Sequence, residues 1–188
     1  MDDVNVLVVF YSRTGSTERL AVWIAEGAIQ AGAKIRLRRA RDLMPVDVIS
    51  RFPEWAENGE RMDKEYAAPR VVDAQWADAI IVGTPDRDVV ISTELKAYLD
   101  LLAVSDPERH FERKVGSVFS SSYDQVLGRP AVLDAEKALL DLGFLVVPAG
   151  RVIRGSEPEK GFDLAHAHGR KVTEIARAVC LGKRASGE

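Results

Sequence analysis

Between residues 9 and 20 the chain reads VFYSRTGSTERL. Ser12, Thr14, Ser16 and Thr17 place four hydroxyls within six positions, with Arg13 and Gly15 between them. Hydroxyls of this density can donate to an anion, and a helix that starts behind them adds unpaired backbone N–H groups and the positive end of its dipole. Gly15 admits backbone angles barred to other residues and lets a ligand approach closely. Two readings stand. One is a strand-to-helix turn capped by Ser16 or Thr17, for which one hydroxyl suffices. The other is a phosphate cradle. A P-loop is excluded, because the Gly-x-x-x-x-Gly-Lys-Ser/Thr spacing is missing, and so is the three-glycine dinucleotide fingerprint. Two later stretches also carry polar groups after apolar runs. They are residues 85–92, opening on Pro85, Asp86 and Arg87, and residues 120–129, opening on Ser120, Ser121, Ser122 and Tyr123.

These stretches need elements to position them. Residues 4–11 are nearly all apolar and β-branched, which predicts a strand buried on both faces. A helix opens at Ser16 or Thr17, carries Leu20, Ile24 and Ala28 on one side, and stops at Gly32. Further strands are predicted at 34–40, 79–83, 115–119 and 144–147. Leu95, Leu99 and Leu102 mark one intervening helix; Val132, Ala135, Leu139 and Leu142, ended by Gly143, mark another. Ala165, His168, Val172, Ile175 and Val179 share a face of a last helix. Five strands alternating with helices predict an α/β fold, a parallel sheet covered on both faces. Ligands then bind beyond the carboxyl ends of the strands, which is where all three polar stretches fall.

A length of 188 residues with 46% hydrophobic content predicts one domain, residues 1–181, followed by a flexible tail at 182–188. Residues 42–75 hold Pro45, Pro53, Gly59 and Pro69 and read as an irregular excursion with short helical pieces. The net charge of −3 argues against general nucleic-acid binding. The basic run KIRLRRAR alternates with Ile35 and Leu37 and reads as the solvated face of an edge strand. The single cysteine, Cys180, forbids an internal disulfide and reads as a small core residue. Three scattered histidines make no zinc site, and His166 and His168 point to different faces of the last helix. Trp23, Trp55 and Trp76 read as packing residues. No stretch reaches the ~18 apolar residues of a membrane span, and Met-Asp-Asp is no signal peptide, so a cytoplasmic location without membrane insertion is expected.

In order along the chain, YSRTGSTERLA, ADAIIVGTPDRDVVISTELKAYLD, RKVGSVFSSS and LLDLGFLVVPAG resemble the flavodoxin-like family, and within it the WrbA-type NAD(P)H:quinone oxidoreductases. The resemblance covers most of residues 4–150. It implies a flavodoxin-like three-layer sandwich with a five-stranded parallel sheet of order 2-1-3-4-5. It also implies FMN as cofactor, NAD(P)H as electron donor, a small-molecule quinone-like acceptor and a homodimer or tetramer. Ser12, Arg13, Thr14, Gly15, Ser16 and Thr17 would hold the FMN phosphate. Pro85, Asp86 and Arg87 would line the flavin ring, and Ser120, Ser121, Ser122 and Tyr123 would form the third flavin loop. Arg87 would stabilise negative charge on the reduced ring, its alternative being a surface partner of Asp86 or Asp88. No side chain is required as an acid or base.

The chain departs from that family at identifiable places. Asp88-Val89-Val90 stand where the family continues Phe-Gly-Asn, and SSSYDQVLGRP replaces a glycine-rich third loop. Asp141 and Leu142 occupy the place of a histidine pair. A long glycine-rich insertion that helps complete the substrate pocket and the tetramer is reduced to GRVIRGSEPEKGFD. Three functions therefore remain: an FMN-dependent oxidoreductase, a one-electron flavodoxin-type carrier, and a flavodoxin-fold binding protein that has lost flavin.

Overall fold

The computed structural model describes residues 3–85, 90–121, 128–148 and 158–185. Its sheet has five strands, β1 (Val4–Phe10), β2 (Ala33–Arg39), β3 (Ala79–Thr84), β4 (Val115–Ser120) and β5 (Leu145–Val147), in the order β2-β1-β3-β4-β5. Every pairing is parallel. The helices are α1 (Ser16–Gln30), α2 (Val46–Ile49), α3 (Pro53–Glu65), α4 (Val71–Trp76), α5 (Thr93–Ser105), α6 (Gly128–Asp141) and α7 (Pro158–Ala185). The fold class and strand order are those the sequence and the resemblance imply.

The period of two along each strand sorts its side chains between two cores. Leu7, Val9 and Tyr11 join Ile80, Val82 and Val118 beneath α5 and α6, where Leu95, Leu99, Leu102 and Leu139 complete one core. Val6, Val8 and Phe10 join Ile81 and Phe119 beneath α1 and α7, where Leu20, Ile24, Val172 and Ala176 complete the other. Each fully buried Leu, Ile or Val stabilises the fold by roughly 1.5–3 kcal/mol. Helices α1 and α7 cross closely because glycine stands at the contact. A Cβ on Gly169 would lie 2.0 Å from the Ile24 carbonyl oxygen, and one on Gly27 would lie 2.2 Å from that of His166.

Four local expectations change. The excursion at 42–75 is mostly helical, and α3 alone spans 13 residues. Pro53 sits at its start, where a missing N–H costs nothing, and Trp55, Gly59 and Met62 form its buried side. The arginines of β2 are not all on a solvated face. Arg39 is fully buried, donating to Asp63, to Asp42 and to the Ser12 carbonyl, while Arg36 and Arg38 pair with the buried Asp73. The last helix runs past Gly182 to Ala185, so the first part of the expected tail is helical, in keeping with the high helix propensity of Lys183-Arg184-Ala185. Cys180 is half-buried rather than in the core. Among the described residues no helix is long and apolar enough to cross a membrane, and no three His, Cys, Asp or Glu side chains could share a metal ion.

Candidate functional site

The loop after β1 leads into α1 through Gly15, which has φ 87° and ψ −8°, the left-handed region that favours glycine. Neither Ser16 nor Thr17 is the N-cap of the helix: that position is Gly15, which has no side chain to cap with. Ser12 instead accepts the Gly15 N–H at 3.0 Å and is itself buried, which closes the loop on its own backbone. The turn-with-cap reading therefore fails on the geometry. The helix start keeps its donors turned to the loop.

The other hydroxyls reach across to the end of β4. Thr17 Oγ1 lies 2.9 Å from Ser121 Oγ, and Ser16 Oγ donates to the same atom at 3.5 Å. Ser120, one position earlier, is 1% exposed, and its hydroxyl has no hydrogen-bond partner. A buried hydroxyl left without a partner costs stability, so this one invites a ligand or water. The first and third polar stretches thus meet at one end of the sheet. Thr14 is half-buried beside them. Asp86, Arg87, Ser122 and Tyr123 lie outside the described residues.

Arg13 turns the other way. Its guanidinium carbon lies 4.1 Å from the centre of the Trp55 ring, and its Nε donates to the Tyr11 hydroxyl at 3.0 Å. Tyr11 in turn donates to Asp42 Oδ1 at 2.7 Å, which also accepts from Trp55 Nε1 at 2.7 Å. Burial pushes the Tyr11 phenol far above its ordinary range, and the Asp42 carboxylate adds to this against the Arg13 hydrogen bond, so the phenol keeps its proton and donates. Trp55 is thus a packing residue with a second task, holding Asp42 and Arg13.

Beside this network runs a cleft of about 230 Å³, lined by Tyr11, Arg13, Leu43, Met44, Pro85, Ser92, Thr93 and Glu94. Leu43 and Met44 form an exposed apolar lip, whereas Ser92 and Glu94 are buried, and the Ser92 hydroxyl has no partner. Its backbone N–H donates to Thr84 Oγ1 at 3.3 Å, which ties the start of α5 to the end of β3. Pro85, expected at a flavin ring, lines this cleft.

A planar phosphate-bearing group fits what is present. An uncapped helix start and a buried free hydroxyl suit the phosphate; an apolar-lipped cleft with a few polar atoms suits a ring. Ser92 closes the second polar stretch, whereas the sequence missed Asp42, Leu43, Met44 and Glu94 as lining or supporting residues, and Trp55, Asn58 and Arg61 as parts of the loop's surroundings. For the last three a signal existed: Trp55, Gly59 and Met62 at helical spacing behind Pro53 announce a helix that must bury one face.

Residues 4–159 match the NADPH-dependent FMN reductase family. The chain belongs to that family. A curated relative, the NAD(P)H dehydrogenase (quinone) of Archaeoglobus fulgidus, is 30% identical over 190 residues, covering 94% of this chain and 99% of its own. The NAD(P)H dehydrogenase (quinone) of Paracoccus denitrificans is 30% identical over 208 residues, covering 96% and 97%. Among solved structures, a WrbA-like flavodoxin protein of Agrobacterium tumefaciens superposes with a TM-score of 0.65 at 22% identity, covering 93% of this chain and 98% of that one. A flavodoxin from the domain Archaea superposes with a TM-score of 0.66 at 18% identity, covering 93% and 99%. These likenesses establish the flavodoxin-like fold for this member of the family.

Proposed function

We propose that this chain is an FMN-dependent oxidoreductase that takes reducing equivalents from NAD(P)H and delivers them to a quinone. The observation that carries the reading is the first loop: Ser12 and Thr14 before α1 and Ser16 and Thr17 at its start bring four hydroxyls to a turn whose N-cap is Gly15. Membership of the FMN reductase family and relatives named NAD(P)H dehydrogenase (quinone), matched along nearly their whole length, support it. FMN, when bound, would supply two-electron, hydride-level redox chemistry. The protein's residues bind and orient. Ser12, Thr14, Gly15, Ser16 and Thr17 would hold the phosphate, with Arg13 bracing the loop against Tyr11 and Trp55. Ser120 and Ser121 would close the third side and Pro85 would line the ring, the roles proposed for Ser122, Tyr123, Asp86 and Arg87 being those the family resemblance implies. Leu43 and Met44 shield the cleft from water, and Glu94 and Ser92 offer polar atoms to orient what enters it.

A cytoplasmic location and a homodimer or tetramer belong to the same proposal. Light scattering of the FMN-loaded protein tests the assembly, which a monomer would overturn. The functional reading is tested by FMN titration followed by NADPH oxidation with a benzoquinone. A protein that binds no FMN would leave the flavodoxin-fold binding protein as the better reading.

A further inference from the structure

Glu18 stands where it opposes an anion. It lies in the first turn of α1, it is buried, and its Oε2 is 3.4 Å from where a Cβ on Gly15 would be. A carboxylate there is favoured by the helix dipole, but beside a phosphate dianion it is a like charge at short range. Arg61 of α3 meets it at two points, Nη1 to Oε1 at 2.8 Å and Nη2 to Oε2 at 2.5 Å. This fork-on-carboxylate geometry is the strong form of the pair. The same Nη2 lies 4.0 Å from the Gly15 Cβ position, and Asn58 Oδ1 lies 3.8 Å from it. Arg61 also donates to Glu65 Oε2 at 2.9 Å. The Glu18 contact, above all, holds the Arg61 guanidinium above even its ordinary range, so its charge is permanent.

We propose that Arg61 is a positioning residue for phosphate recognition: it neutralises Glu18 and so lets the first loop accept a phosphate dianion. The inference rests on reading residues 12–17 as a phosphate loop. It gives the excursion a task, because α3 carries the compensating charge to a loop that has no lysine of its own. A pair that merely docked α3 on α1 would act alike on every ligand of the cleft. A charge-compensating pair acts on the phosphate.

The test is titration of wild type, Arg61→Gln, Arg61→Lys, Glu18→Gln and the double variant with FMN and with riboflavin, which lacks the phosphate, at low salt. Arg61→Gln is expected to weaken FMN binding by about ten- to fiftyfold while riboflavin changes less than about twofold. Arg61→Lys keeps most of the affinity. Glu18→Gln tightens FMN by about threefold or more, and adding it to Arg61→Gln restores affinity to within about threefold of wild type. Equal loss for both ligands, or no rescue in the double variant, overturns the proposal. If Arg61→Gln does not fold, Glu18→Gln decides alone, and unchanged or weaker FMN binding overturns it. Wild type that binds no FMN overturns the phosphate-loop reading and this inference with it. Wild type that binds FMN, with Arg61→Gln unaltered, overturns this inference only.

Discussion

Thr17 Oγ1 and Ser121 Oγ lie 2.9 Å apart, both side chains are buried, and 104 positions of sequence separate them. The hydrogen bond ties the first turn of α1 to the end of β4. Thr17→Val keeps the shape and removes the hydroxyl, leaving Ser121 with the 3.5 Å contact from Ser16. Stability is expected to fall by about 1–2 kcal/mol in urea unfolding, and FMN affinity by roughly tenfold. Unaltered values for both would remove the link from the account.

His168 titrates with the fold. It is 7% exposed, and its Nε2 lies 3.1 Å from Ser117 Oγ, which donates to the Val147 carbonyl at 2.8 Å. Burial, with the Lys171 charge second, pushes its pKa down from 6.5 to about 4. Between those values the unfolded chain binds the proton and the folded chain does not, so stability rises with pH across that window. Its contribution is complete above about 6.5 and is lost as pH falls towards 4, by up to about 3 kcal/mol. His168→Gln, which can still donate to Ser117, is expected to flatten the profile of unfolding free energy between pH 4 and 6.5. A variant as acid-sensitive as wild type there would contradict this.

The crossing of α1 and α7 predicts a contrast between two glycines. Gly169→Ala places a methyl 2.0 Å from the Ile24 carbonyl oxygen and forces the helices apart, whereas a Cβ on Gly182 meets nothing within 4 Å. The first change is expected to cost about 3 kcal/mol and lower Tm by roughly 6–12 °C. Gly182→Ala, inside the same helix, is expected to hold or raise Tm, since alanine is favoured there by about 0.5–1 kcal/mol. Calorimetry of both variants checks the pair, and equal melting temperatures would contradict the close crossing.

The sheet was legible because apolar runs and helical stripes are local signals. Residues 4–11 could only be a strand buried on both faces, and Leu20, Ile24 and Ala28 could only face a core. The hydroxyl loop stands out as a candidate anion site because its chemistry is contained in six consecutive residues. What the sequence could not show depends on partners far away in the chain. Arg39 reads as one more exposed arginine of an edge strand, yet Asp42, Asp63 and the Ser12 carbonyl surround it. Nothing in the sequence around Glu18 announces Arg61, which α3 delivers to it. Pro53 and the charges around it masked α3, because a mean composition near that of a loop hides a narrow buried stripe of Trp55, Gly59 and Met62.

The central claim is that the first loop holds the phosphate of a working flavin. The direct measurement is titration of the flavin-free protein with FMN, watching flavin absorbance and Tm, followed by NADPH oxidation with a benzoquinone as acceptor. The expected result is a saturable spectral change, a Tm that climbs with FMN concentration as binding to the native state requires, and NADPH consumption that depends on both FMN and quinone. A protein whose Tm and spectrum ignore FMN, and which oxidises no NADPH in its presence, would contradict it.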